Sequence, residues 1–195
     1  GAGMRAGRSR SSRLLATLIC LVLITVSVVL FRATQPGDTW GDQSTLTLGQ
    51  PVPFDDDGAT MTLLGHQWAR QTSDGGDGRA TTPGLFLMVE VVLTADRSQV
   101  LTPEVTLTAG ADTYTPTRKN SAIVPPGYEG TVQILFDLPP AALDETLELD
   151  FRPSWNVWLY ATRPQLTLRL DERERSSADN QVIVPDNALQ PRAVK

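Results

Sequence analysis

The chain is poor in the residues that build disulfides and metal centres: among its 195 residues are one cysteine and one histidine. A single cysteine cannot form an intramolecular disulfide, so a folded domain of this chain must be stable through its core alone. This residue, Cys20, lies within an apolar run. A zinc site needs several nitrogen or sulfur ligands, which one histidine cannot supply. We therefore expect no cofactor and no zinc.

Catalytic motifs are also lacking. A Ser-His-Asp or Cys-His site would have to use His66, which lies inside the strand predicted over residues 59–68, and no G-x-S-x-G motif accompanies it. We expect an ordinary strand histidine and interpret the chain as a non-enzymatic protein.

Positive charge is scarce outside the N-terminus. The chain has 17 basic and 22 acidic residues, and without its first four arginines it keeps 13 basic residues and a net charge of −9. Such an acidic surface repels phosphate backbones. We expect no nucleic-acid partner.

What the sequence does contain, first of all, is a long apolar run. Residues 14–31 are 18 consecutive residues without a charge, about 27 Å of helix and close to the thickness of a bilayer core. Four basic residues and no acidic ones precede this run: Arg5, Arg8, Arg10 and Arg13. The pattern predicts a transmembrane signal-anchor helix, residues 1–13 in the cytoplasm, and the C-terminal part outside the cell membrane.

A cleaved signal peptide is the alternative for this segment. Cleavage after Ala33 would place Phe31 at a position that requires a small residue, and lipid attachment at Cys20 would require a small residue where Ile19 stands. Both features favour a permanent single-pass anchor. In either case the C-terminal domain is extracytoplasmic.

After a polar linker over residues 32–43, apolar residues alternate with polar ones, which is typical of strands with one buried face. Residues 85–93 are apolar on nearly both faces and predict a central strand. We expect an all-β domain over residues 44–171, an immunoglobulin-like antiparallel β-sandwich, with a single β-barrel as the alternative. The predicted strands are 45–48, 59–68, 85–93, 104–108, 131–138, 146–151, 157–160 and 165–171.

A resemblance supports this expectation. The Pro-Gly turn at residues 125–127, the following strand that ends Phe136-Asp137-Leu138-Pro139, and Leu147-Glu148-Leu149 resemble the telokin-like immunoglobulin domains of bacterial secreted and membrane-anchored proteins. The resemblance covers residues 85–152. It implies an immunoglobulin-like sandwich outside the cell and no catalytic residues.

Two groups of residues are candidate binding sites. Loop aspartates at one end of a sandwich can converge on calcium, although solvated turns are the alternative. Trp158 and Tyr160 alternate with aliphatic residues, so they form either part of the core or an exposed contact patch for a partner. The calcium candidates are Asp55, Asp57, Asp74 and Asp77.

The end of the chain, residues 172–195, is polar and charged apart from the apolar triplet Val182-Ile183-Val184. We expect this tail to be disordered until it binds, because the triplet is long enough to add a strand to a sheet edge. The alternative is a tail that folds back on its own domain.

Together these features predict a membrane-anchored extracytoplasmic interaction module, an accessory subunit of a cell-envelope or membrane-protein complex. Its expected partner is another membrane or envelope protein. The alternative is an envelope binding protein for a small ligand, a glycan or Ca²⁺, for which a calcium-dependent rise in melting temperature would be the sign.

Overall fold

The computed structural model of this chain describes residues 43–54, 58–75, 78–154, 162–178, 181–184 and 191–194. These residues form mostly β-strands, with one short α-helix and one 3-10 helix, so the all-β prediction is confirmed. The chain divides into two compact units, Gly1–Trp40 and Gly41–Lys195, and every described residue lies in the second unit.

The described residues include no helix with the length and apolar character needed to cross a bilayer. The predicted anchor at residues 14–31, the segment before it and the linker up to residue 42 lie outside the described residues.

The described strands are more numerous than the eight expected from the alternating pattern, because several of them have only two or three residues and are too short to alternate. They are β1 (Gln43–Thr45), β2 (Pro51–Pro53), β3 (Thr60–Ser73), β4 (Arg79–Ala95), β5 (Val100–Leu101), β6 (Glu104–Ala109), β7 (Asp112–Tyr114), β8 (Arg118–Lys119), β9 (Ile123–Val124), β10 (Tyr128–Leu138), β11 (Leu147–Arg152), β12 (Arg163–Leu168), β13 (Gln181–Ile183) and β14 (Arg192–Ala193).

Two main sheets contain most of these strands. Sheet A has the order β1-β12-β11-β6-β7, and sheet B has the order β13-β3-β4-β10-β14. In sheet B, β2 also pairs with β3 and β8 with β10, while β5 and β9 form a separate two-stranded pair. The long strands β3, β4 and β10 thus make the middle of sheet B.

The two sheets share one hydrophobic core. On β10 the side chains at alternate positions, including Ile134 and Phe136, are fully buried, as the alternation predicts. They belong to the same buried cluster as Leu149 and Phe151 of β11 in sheet A. The face of sheet B that meets sheet A is its inner face.

Strand β4 is the central strand that residues 85–93 predict. It pairs with β3 on one side and with β10 on the other, and both of its faces are buried over residues 85–89. Its approach to the end of β10 is close at Gly84, where a Cβ atom would collide with the carbonyl oxygen of Leu138. Glycine is therefore required there.

Two strand pairs depart from the expected antiparallel arrangement: β1 is parallel to β12, and β13 is parallel to β3. Hairpins impose antiparallel pairing, but each of these strands reaches its neighbour through a longer connection. For β13 that connection includes helix α1 (Glu172–Ser177), which follows the last strand of sheet A and precedes a strand of sheet B.

Candidate functional site

Helix α1 begins the C-terminal segment, and its start is fixed by a capping box. The backbone nitrogen of Glu174 donates to Oδ1 of Asp171 at 2.6 Å, and the backbone nitrogen of Asp171 donates to Oε2 of Glu174 at 3.2 Å. Two backbone donors at the helix end are thereby satisfied. This explains why a run of charged residues, predicted as a polar tail, is helical.

The same glutamate ties the helix to sheet B. Its second oxygen, Oε1, lies 2.9 Å from Nε2 of His66 on β3, and just beyond the helix the backbone nitrogen of Arg70 donates to the carbonyl of Ala178 at 2.9 Å. On the other side, Nη2 of Arg175 lies 2.6 Å from Oδ1 of Asp144. Helix α1 is therefore held against its own domain.

A cleft of about 310 Å³ lies at the His66–Glu174 pair and is lined by Gln67, Trp68 and Ser177 as well. The Ser177 hydroxyl donates to the carbonyl oxygen of Glu174 at 3.1 Å, a bond within the last turn of the helix. His66 is thus in a strand, as predicted, and its contact with Glu174 holds α1 in place.

Beyond the helix, residues 181–184 form what we call the strap. Gln181, Val182 and Ile183 pair with Gln71, Thr72 and Ser73 at the end of β3. The pairing continues past the strand, where the backbone nitrogen of Val184 donates to the carbonyl oxygen of Ser73 at 3.0 Å. From β8, Nη1 of Arg118 donates to the carbonyl oxygen of Val184 at 3.3 Å.

The strap covers an apolar patch on the face of sheet B that points away from sheet A, the outer face. Val182 and Val184 are buried there, whereas Ile183 between them is 55% exposed. The residues beneath, which we call the outer patch, form with Val182 and Val184 a second buried cluster: Ala69, Phe86, Met88 and Leu135. Part of sheet B is therefore covered by the chain's own C-terminal segment.

The last strand, β14, reaches the opposite edge of sheet B. It pairs with Tyr128 and Glu129 of β10, and the backbone nitrogen of Val194 donates to the carbonyl of Gly127 at 3.0 Å. Since β13 lies on β3, the C-terminal segment engages both edges of the sheet. Exposed strand edges invite pairing with other chains, so this segment decides which edges are open.

The described parts of residues 172–195 are folded against their own domain, which is the alternative in which the tail folds back. The structure divides the predicted partner-binding triplet, because Val182 and Val184 are buried and Ile183 is exposed. The other two candidates, Trp158 and Tyr160, lie outside the described residues.

Of the four calcium candidates, Asp55, Asp57 and Asp77 lie outside the described residues. Asp74 directly follows β3, and its backbone nitrogen donates to the carbonyl oxygen of Gly78 at 3.3 Å. Across the described residues there is no group of three or more histidine, cysteine, aspartate or glutamate side chains that could hold a metal ion.

The outer patch is the feature that the sequence reasoning missed. Its signal is present: Leu135 occupies an odd position in a strand whose even positions form the core, and Phe86 and Met88 make the second face of β4 apolar. Apolar residues on both faces of neighbouring strands indicate a second covering element.

The fold and its C-terminal segment define the class of the domain: an all-β domain of two sheets with a shared core, one sheet of which is covered in part by the chain's own end. No protein-family model, no curated protein and no solved structure matches this chain.

Proposed function

We propose that this protein is a membrane-anchored extracytoplasmic interaction module, an accessory subunit of a cell-envelope or membrane-protein complex. The sequence supports the anchor: four arginines precede residues 14–31, a run of 18 uncharged residues. On this proposal the N-terminus is cytoplasmic, and the domain from residue 44 onward lies outside the cell membrane.

The proposed architecture of the domain is an immunoglobulin-like sandwich. Its support is that strands of sheets A and B contribute to one buried cluster and that most of their pairs are antiparallel. Domains of this type commonly act through their edges and loops, which are set apart from the core.

One observation carries the proposed docking site: the exposed edge strand β13. Its pairing with β3 uses one side of its backbone, and no strand among the described residues pairs with its other side. Ile183, a large apolar side chain, is 55% exposed on this strand. An edge of this kind can receive a strand of a partner, with main-chain hydrogen bonds for affinity and a side-chain contact for specificity.

A membrane anchor makes such a small contact sufficient. Two proteins held in the same bilayer meet at a high effective concentration, so a short strand contact that is weak in solution becomes largely occupied. The proposed partner is therefore another protein of the same membrane.

The test is purification of the full-length protein from its native membrane in mild detergent, followed by mass spectrometry. We compare the wild type with I183D, which places a charge on the exposed edge. The matched control is I123D, since Ile123 is also in a two- or three-residue strand and is 60% exposed. We expect a stoichiometric membrane protein with the wild type and with I123D, and its loss with I183D.

A protein that purifies alone, or a partner that I183D retains, would contradict the proposed docking site. Point variants are preferable to deletion of the tail, because deletion would also uncover the outer patch and create new apolar surface. The orientation is tested separately: protease added to intact spheroplasts should digest the C-terminal domain and leave residues 1–13 intact.

A further inference from the structure

A buried arginine on sheet A has hydrogen-bonding atoms that no described residue pairs with. Arg163, in β12, has a side chain that is only 3% exposed. Within the described part of the chain, neither its Nε nor its Nη2 has a hydrogen-bond partner. Burying a guanidinium without partners is costly, because each lost contact with water needs a replacement.

The two unused nitrogens lie on the same edge of the guanidinium. Their N–H bonds are parallel, and this edge binds two oxygens of a carboxylate or phosphate at once. The third nitrogen, Nη1, is 3.8 Å from Oδ2 of Asp150. That distance is longer than a hydrogen bond, so Asp150 attracts Arg163 without occupying its free edge.

The negative charge of Asp150 is not available to Arg163 alone, because Asp150 also contacts a second arginine. Nε of Arg152 donates to the same Oδ2 at 2.6 Å. One carboxylate is thus shared between two guanidiniums. An anion at the free edge of Arg163 would give that guanidinium a negative partner of its own.

The carboxylate also has an unused acceptor. Oδ1 of Asp150 is buried and has no hydrogen-bond partner in the described part of the chain. Oδ1 belongs to the same carboxylate as Oδ2, which lies 3.8 Å from Nη1 of Arg163, so the free acceptor is close to this guanidinium. The site thus combines two donors and one acceptor that have no hydrogen-bond partner among the described residues.

We propose that Arg163 and Asp150 bind a protonated phosphate group, which accepts two hydrogen bonds from the Nε and Nη2 edge of Arg163 and donates one to Oδ1 of Asp150. Phosphate fits this pattern because it carries at least one proton at neutral pH. Sulfate carries none, so it would place an acceptor against Oδ1 of Asp150, which is also an acceptor.

The test measures melting of the full-length protein in detergent with inorganic phosphate or sulfate at matched ionic strength. Saturating phosphate should raise the melting temperature by about 5 °C, and sulfate should raise it less. In R163K, which keeps the charge and loses the paired edge, the phosphate-specific part of the rise should vanish. The control R192K changes an arginine whose side chain is 76% exposed and should respond as the wild type does.

D150N tests the same site without removing the guanidinium. It should abolish the preference for phosphate over sulfate and strengthen sulfate binding about threefold or more, because it removes a negative charge. Equilibrium dialysis with labelled phosphate should show one phosphate per wild-type chain. A monoester such as glycerol phosphate has mostly lost its last proton at neutral pH, so it should bind more weakly than inorganic phosphate.

Three results would overturn the proposal. Equal responses of the wild type and R163K would place phosphate elsewhere. If R163K does not fold, an unchanged phosphate preference in D150N would exclude the role of Asp150. No response of the wild type to phosphate would mean that buried water satisfies these atoms instead.

Discussion

Two neighbouring residues of β10, Leu135 and Phe136, are buried to the same degree by different parts of the molecule. Leu135 is 1% exposed and Phe136 is 0% exposed. Phe136 faces the core shared with sheet A, whereas Leu135 faces the outer patch beneath the strap. One strand therefore has one side in a core of many strands and the other under a single short segment.

The comparison shows that equal burial does not mean equal dependence on the whole fold. The inner face of sheet B loses its cover only if the two sheets separate. The outer face loses part of its cover when residues 181–184 leave, which requires the loss of one short strand pair and the contact of Arg118 with Val184. Local opening of this kind costs less free energy than global unfolding.

The largest effect is expected from F136A, which breaks the inner face. Removal of a fully buried phenylalanine ring should lower the free energy of unfolding by about 3–5 kcal/mol. Denaturant unfolding of the full-length protein in detergent measures it. A loss below about 1 kcal/mol would mean that the two sheets do not share a tightly packed core.

L135A should lower the free energy of unfolding by a smaller amount, about 2 kcal/mol, because the strap can move toward the sheet and fill part of the cavity. The sharper test is a double-mutant cycle with V184A. Leu135 and Val184 belong to the same cluster, so their effects should be non-additive by about 0.5 kcal/mol or more. The effects of the control pair, F136A with V184A, should be additive. Coupling in this pair but not between L135A and V184A would mean that Val184 depends on the inner face rather than on the outer patch.

The inner face could be predicted from the sequence, whereas for the outer face the sequence shows that it is apolar but not which segment covers it. Alternation over residues 131–138 places Ile134 and Phe136 in the core, and the apolar residues of 85–93 place a strand in the centre of a sheet. Both patterns are local and follow from the two-residue period of a strand. The all-β class follows from these patterns.

The covering of the outer face depends on residues that are far apart along the chain. Glu174 meets His66 across 108 positions, and Val184 meets Arg118 across 66 positions and Ser73 across an even longer stretch than the first pair. The triplet at residues 182–184 indicates a strand but not its neighbour, and no local period specifies a parallel pair. The free edge of Arg163 is likewise a product of burial, which composition does not reveal.

A further substitution, D171A, weakens helix α1, which leads from sheet A to the strap. It removes the capping carboxylate that accepts from the backbone of Glu174 and should cost about 1 kcal/mol. Because Glu174 also contacts His66, hydrogen exchange should accelerate in α1 and in the strap before it does in β10. Uniform acceleration across the domain would show that the C-terminal segment does not open separately. The control is D112A, because Asp112 is an exposed aspartate on β7, remote in sequence from α1.

The smallest effect is expected from R192A, at the other end of the C-terminal segment. Nε of Arg192 lies 3.0 Å from Oε1 of Glu129, but the arginine side chain is 76% exposed. Exposed ion pairs contribute about 0.2–1 kcal/mol because solvent screens them and ordering the side chains costs entropy. R192A should therefore lower the free energy of unfolding by no more than about 1 kcal/mol and leave exchange in β13 unchanged. A larger loss, accompanied by faster exchange in β13, would mean that the two ends of the segment hold sheet B cooperatively. In that case the outer face would depend on the whole C-terminal segment rather than on the strap alone.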